Sequence, residues 1–175
     1  MAATLARRVT DRASCGVRPH SEESAPSDER HMRRCIELAR LALDAGDVPV
    51  GAIVVRDDRV IGEGYERTRG RLDPAAHAEV EALRAACVTL DTLDLSGSTL
   101  YTTVEPCVLC AYAVRQTRIQ RVVYGVKAGS LGGATGPFPL LSDASSFAGR
   151  EPPSVTAGVL AEECEQLLAE RGSRA

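Results

Sequence analysis

Two short motifs hold residue types that can do chemistry together. "DPAAHAEVEAL" carries His77, one of three histidines in the chain, with Glu79 two residues later. "EPCVLC" carries Cys107 and Cys110 at the start of a proline-opened helical pattern. Alone, neither motif says much: a histidine in an Ala-rich helix is more often a bystander than a ligand, and a C-x-x-C can be redox-active or accidental. Together they supply one imidazole and two thiols, a donor set that suits Zn²⁺. Cysteines at i and i+3 share one helix face. The positive end of a helix favours the thiolate that a metal needs.

The ligand count separates a structural from a catalytic site. Structural zinc sites close with four protein ligands, whereas catalytic ones leave a position for water. Cys87 and Cys164 sit in helical patterns and read as small packed residues, while Cys15, His20 and His31 lie in or near the N-terminal leader. No other Cys or His completes the set at motif spacing, so three ligands emerge, His77, Cys107 and Cys110, and one catalytic zinc ion per chain is expected, with water as its fourth ligand. Glu79 then has a role as proton carrier, because two thiolates weaken the ion's pull on a water proton. On an ideal helix, positions i and i+2 point nearly opposite ways. His77 and Glu79 can converge only if His77 lies in the first turn or the loop before it.

The elements that position these residues follow from periodicity. Residues 1–27 show no sustained period and are expected to be a disordered leader, followed by one domain over 28–172. A helix capped by Ser27 or Asp28 places Met32, Ile36, Ala39 and Leu43 at helical spacing. Val50–Val55 and Val60–Tyr65 read as a hairpin around "RDD". Asp73 and Pro74 suggest the start of the helix bearing His77. Strands are expected over 98–105 and in "IQRVVYGV", with a helix after Pro106 between them. The Gly-rich "KAGSLGGATGP" must be a loop, 138–154 is ambiguous, "SVTAG" reads as a short last strand, and a helix closes the chain. Helices alternating with strands after a hairpin imply an α/β layered sheet, partly parallel.

Composition narrows the class further. Net charge is −3, so there is no global basic footprint for nucleic acid, and two Phe, four Tyr and no Trp offer few platforms for stacked bases. No signal peptide is recognisable, and no stretch approaches the ~18–20 apolar residues of a membrane span. A cytoplasmic protein with reduced thiols is expected.

The two motifs match the zinc-deaminase pattern H-x-E…P-C-x-x-C. From about residue 30 to 170 the chain resembles the cytidine deaminase-like superfamily. "AGDVPVGAIVVRDDRVIGEGYERT", "DPAAHAEVEALRAA", "TLYTTVEPCVLCA", "RIQRVVYGV" and "AGVLAEECEQLL" stand in family order. The nearest look is to bacterial tRNA adenosine deaminases and to guanine and cytosine deaminases. The resemblance implies a three-layer αβα fold around a central five-stranded mixed sheet, and a homodimer. It assigns zinc to His77, Cys107 and Cys110, and the proton transfers to Glu79. It places Ala78, Pro106, Val48 and Val50 around the substrate.

Three departures bear on the substrate. Glu66 stands in "GYERT" where the family carries a substrate-contacting asparagine; it either faces a ring that offers N–H donors or pairs with Arg67 or Arg69 in solvent. Ala128 replaces an expected aspartate. The last helix, "ECEQLLAERGSRA", lacks aromatics. On these grounds the expected substrate is a small molecule, a free nucleobase or related aminated heterocycle (guanine-, cytosine- or aminotriazine-like), with tRNA the lesser partner. The alternative is a tRNA wobble adenosine-to-inosine deaminase. A non-catalytic zinc fold has no use for Glu79, and a metal-independent redox protein ranks below that.

Overall fold

β-branched residues before and after the "RDD" turn build the expected hairpin, here β1 (Gly51–Arg56) and β2 (Arg59–Tyr65). The computed structural model describes residues 26–145, 147 and 149–174, so the expected leader at 1–25 lies outside the described residues. The remaining elements in chain order are α1 (Pro26–Asp44), before the hairpin, then α2 (Thr68–Arg71), α3 (Ala78–Leu90), β3 (Thr99–Val104), α4 (Val108–Gln116), β4 (Arg121–Val126), β5 (Ser154–Ala157) and α5 (Ala161–Arg174). A short 3₁₀ turn, Gly129–Leu131, lies between β4 and β5.

The five strands form one sheet in the order β2-β1-β3-β4-β5. β1 pairs antiparallel with β2 and β3, while β3–β4 and β4–β5 are parallel. The sheet is thus mixed, as expected. Its side chains alternate between two faces. Ala52, Val54, Leu100, Val122 and Tyr124 pack with Ala82 and Leu83 of α3 and Ala111 and Val114 of α4. Ile53, Val55, Tyr101 and Val123 pack with Met32, Ile36 and Leu43 of α1 and Cys164 and Leu167 of α5. Three layers result, helix pairs on both faces of the sheet.

Ser27 or Asp28 was expected as the helix cap, but α1 opens earlier, at Pro26, so both lie inside it and Asp28 is buried. It accepts hydrogen bonds from the Tyr101 hydroxyl (2.8 Å) and from both terminal nitrogens of Arg121 (2.8 and 2.7 Å). Burial pushes its carboxyl up, yet the Arg121 and Tyr101 hydrogen bonds outweigh that and hold it below the usual value. This pins the start of α1 across β3 and β4.

The ambiguous stretch after β4 is held by one side chain. Arg115 of α4 is buried; it donates to the carbonyls of Leu140, Asp143 and Arg150 at 2.8–2.9 Å and lies over the Phe147 ring. Among the described residues no helix is long and apolar enough to cross a membrane.

Candidate active site

The helix bearing His77 begins later than its sequence suggests. The Asp73 side chain accepts from the Ala75 amide at 2.9 Å and its carbonyl from the Ala76 amide at 3.1 Å. That turn consumes the residues expected to start the helix. His77 keeps an extended backbone (φ −71°, ψ 149°) as the N-cap, and α3 starts at Ala78. His77 therefore leaves the helix axis, and the objection to an i, i+2 pair disappears. Cys107 is likewise an extended N-cap (φ −68°, ψ 173°), for α4, with Cys110 in the first turn.

Gly64 of β2 brings α3 into place. A Cβ there would lie 2.3 Å from the Ala78 carbonyl oxygen, so only glycine lets the strand meet the first turn of α3.

His77 Nδ1 lies 3.7 Å from Cys107 Sγ and 3.5 Å from Cys110 Sγ, and the two sulfurs are 3.7 Å apart. A tetrahedral zinc ion with Zn–S of ~2.3 Å and Zn–N of ~2.0–2.1 Å requires S···S of about 3.8 Å and S···N of about 3.5 Å. The triangle fits. Its proton balance also fits a dication. Cys107 is drawn down to about 4 by the hydrogen bond from Cys110 and by His77. His77 is pushed up to about 9 chiefly by the Cys107 thiolate. Cys110 is raised by that same thiolate and by burial. The three groups thus share charge and protons among themselves, and a divalent ion bound there would displace protons from them.

Glu79 is only 3 % exposed and points into the same space, with its carboxyl 3.5 Å from Cys110 Sγ. The buried Thr102 hydroxyl lies 3.4 Å from its other oxygen. Burial first, then the Cys107 thiolate, raise its carboxyl to about 7. A carboxyl poised there can accept and return a proton near neutral pH.

Glu66 is 6 % exposed, which rules out the solvent-facing pairing with Arg67 or Arg69. Burial raises its carboxyl, while His77, the Thr68 hydroxyl and the Ala78 amide hold it back. His77 and the first residue of α3 are thus among the neighbours of its carboxyl. Its own amide donates to the Val50 carbonyl at 3.0 Å, and the Val50 amide to the Val48 carbonyl at 2.7 Å, which ties this half-buried segment to Glu66. Ala78 and Pro106 are buried beside the ligands, and the Pro106 carbonyl already accepts from the Gly133 amide at 2.8 Å. Thr102 and Glu105 were not singled out from sequence. Both lie in strand-like runs where the period marks a face but not a partner.

Residues 25–126 match the family model of the cytidine and deoxycytidylate deaminase zinc-binding region. A tRNA-specific adenosine deaminase of Haemophilus influenzae is 42 % identical over 142 residues, covering 81 % of this chain and 80 % of the relative. A solved structure from work on A-to-I editing by tRNA:A34 deaminases superposes with a TM-score of 0.74 and 34 % identity, covering 79 % of this chain and 98 % of that one. The guanine deaminase from Nitrosomonas europaea superposes at 0.71 with 29 % identity, covering 86 % of both chains. The tRNA-directed relatives share more of the sequence than the guanine deaminase does. This overturns the expectation of a free nucleobase or similar heterocycle as substrate, and of tRNA as the lesser partner. The zinc-dependent deaminase chemistry stands. With matched motifs, a fitting ligand triangle and the same mixed sheet, the chain belongs to the cytidine and deoxycytidylate deaminase zinc-binding family.

Proposed function

We propose that this protein is a tRNA adenosine deaminase that converts the wobble adenosine to inosine. The identity to the Haemophilus influenzae enzyme, spread over four-fifths of both chains, carries this reading. Residues 28–172 act as one catalytic domain. His77, Cys107 and Cys110 hold zinc, which when bound supplies an acidified water as the nucleophile. The Glu79 carboxylate takes the water proton and delivers it to the ring nitrogen beside the attacked carbon. It then takes the remaining proton from the hydroxyl added to the ring carbon and gives it to the departing amino group, so that a carbonyl forms as the C–N bond breaks and ammonia leaves as a neutral molecule. Burial of Glu79 keeps that proton from bulk solvent. Main-chain groups of Ala78 and Pro106 orient the base, and Val48, Val50 and Glu66 line its pocket. A homodimer acting in the cytoplasm completes the reading; light scattering of the purified protein tests the dimer.

The deciding experiment measures inosine formation in an anticodon stem-loop bearing a wobble adenosine, beside ammonia release from guanine, cytosine and adenine. Inosine in the RNA is the expected result. Ammonia from a free base with no inosine in RNA would sink the proposal.

A further inference from the structure

A buried carboxylate next to the metal ligands has no part in the chemistry above. Glu105 is 2 % exposed and directly precedes Pro106 and Cys107. Its two oxygens accept from the amides of Ala128 (3.1 Å), Ala134 (2.9 Å) and Thr135 (2.7 Å) and from the Thr135 hydroxyl (2.9 and 3.1 Å). The Gly-rich segment 128–135 thus wraps around one acid. The fit is tight: a Cβ on Gly132 would lie 2.3 Å from Glu105 Oε1. The wrapped segment then touches the ligand-bearing strand end twice more. Gly132 forms a β-bridge with Cys107, and the Gly133 amide donates to the Pro106 carbonyl.

We propose that Glu105 is a positioning residue for the metal centre. It fixes the Gly-rich segment, and that segment fixes the Cys107 backbone through the Gly132 bridge and the Gly133–Pro106 hydrogen bond. Cys107 is an N-cap, held by helix geometry only from its C-terminal side. On the other side the chain leaves β3 through the Glu105 amide, which donates to the Val126 carbonyl at 2.7 Å, and Pro106 and Cys107 themselves are met by this loop. A carboxylate suits the task because it only accepts, and every group facing it is a donor. An amide in its place would turn N–H donors towards at least one of those amides. The proposal rests on the reading of His77, Cys107 and Cys110 as a metal site.

The test uses cobalt(II) in place of zinc and reads the ligand-field and thiolate charge-transfer bands, together with metal release to a chelator. In Glu105→Gln the bands are expected to shift or broaden, and metal affinity to fall by ~10–100-fold, the usual scale for groups that orient ligands. Gly132→Ala keeps the carboxylate but puts a methyl 2.3 Å from its Oε1, so carboxylate and loop must part; the same spectral change is expected there. This second variant decides the matter if Glu105→Gln fails to fold. Unchanged bands and unchanged release in a folded variant, even with a lower melting temperature, would make Glu105 merely structural and overturn the proposal. A wild-type protein that showed no thiolate–cobalt bands would overturn the metal reading itself, a result distinct from the first.

Discussion

Glu79 is where the chemistry can be isolated in a single residue. Replacing it with Gln keeps its shape and removes the proton carrier. We expect kcat/KM to fall by about 10²–10⁴-fold with zinc content unchanged. The pH profile has a definite sign. Its carboxyl is raised to about 7 in the protein alone, and it must be ionised to take a proton. Activity should therefore fall as pH drops, with the midpoint at or below about 7, because a nearby cation favours the carboxylate. The acid limb should vanish from the residual activity of the variant; an identical limb would assign it to another group. His77, Cys107, Cys110 and Glu79 could be picked from the sequence as candidates because their types and spacing suit a metal and a proton carrier, but their convergence could not, since i and i+2 on a helix point apart. Glu66 was misleading as a clue to the substrate. An ionised carboxylate suggests a ring rich in donors, but one residue type does not outweigh similarity along most of the chain.

At the scale of elements, the five strands and four longer helices follow from periodicity, whereas α2 falls in a stretch that reads as a polar loop. The start of α3 was placed four residues early because Asp73-Pro74 looks like a helix opening; the Asp73 side chain instead serves the Ala75 amide and makes a turn. Ala128 was read as a lost contact, yet it contributes its backbone amide to Glu105, a job that no side chain reveals. Gly64 also gave no signal, since a strand glycine looks like a weakness until the helix against it is known. Gly64→Ala should cost roughly 1–3 kcal/mol through overpacking and displace the first turn of α3. A lower melting temperature together with reduced zinc content is expected. A variant that melted lower while retaining full zinc would show that His77 does not depend on this contact.

For the molecule as a whole, the net charge of −3 was a poor guide to its partner. A sum over the surface hides local groups. Arg67, Arg69 and Arg71 lie on or beside α2, the short helix between Glu66 and the His77 turn. Arg69 is exposed, and Arg71 leans on Glu81 at 2.7 Å. RNA affinity should fall linearly with salt on logarithmic axes, and Arg69→Ala should reduce the slope by about 1 without altering zinc content. Binding that ignored salt would remove phosphate contacts from the account.

The ligand triangle has a topological side. His77 and Cys107 are 30 residues apart, each at the head of a different helix. An ion shared between them is a cross-link, closing a loop that contains α3 and β3. A covalent bridge of that span restricts the unfolded chain by about 3–4 kcal/mol, and a metal bound only by the folded chain adds its affinity in the same direction. Chelation should therefore lower the melting temperature by roughly 10 °C. Identical melting with and without chelator would mean that packing alone holds the two helix heads together. In a cell short of zinc, turnover would fail at once for want of the activated water, and the chain left behind would also unfold at a lower temperature.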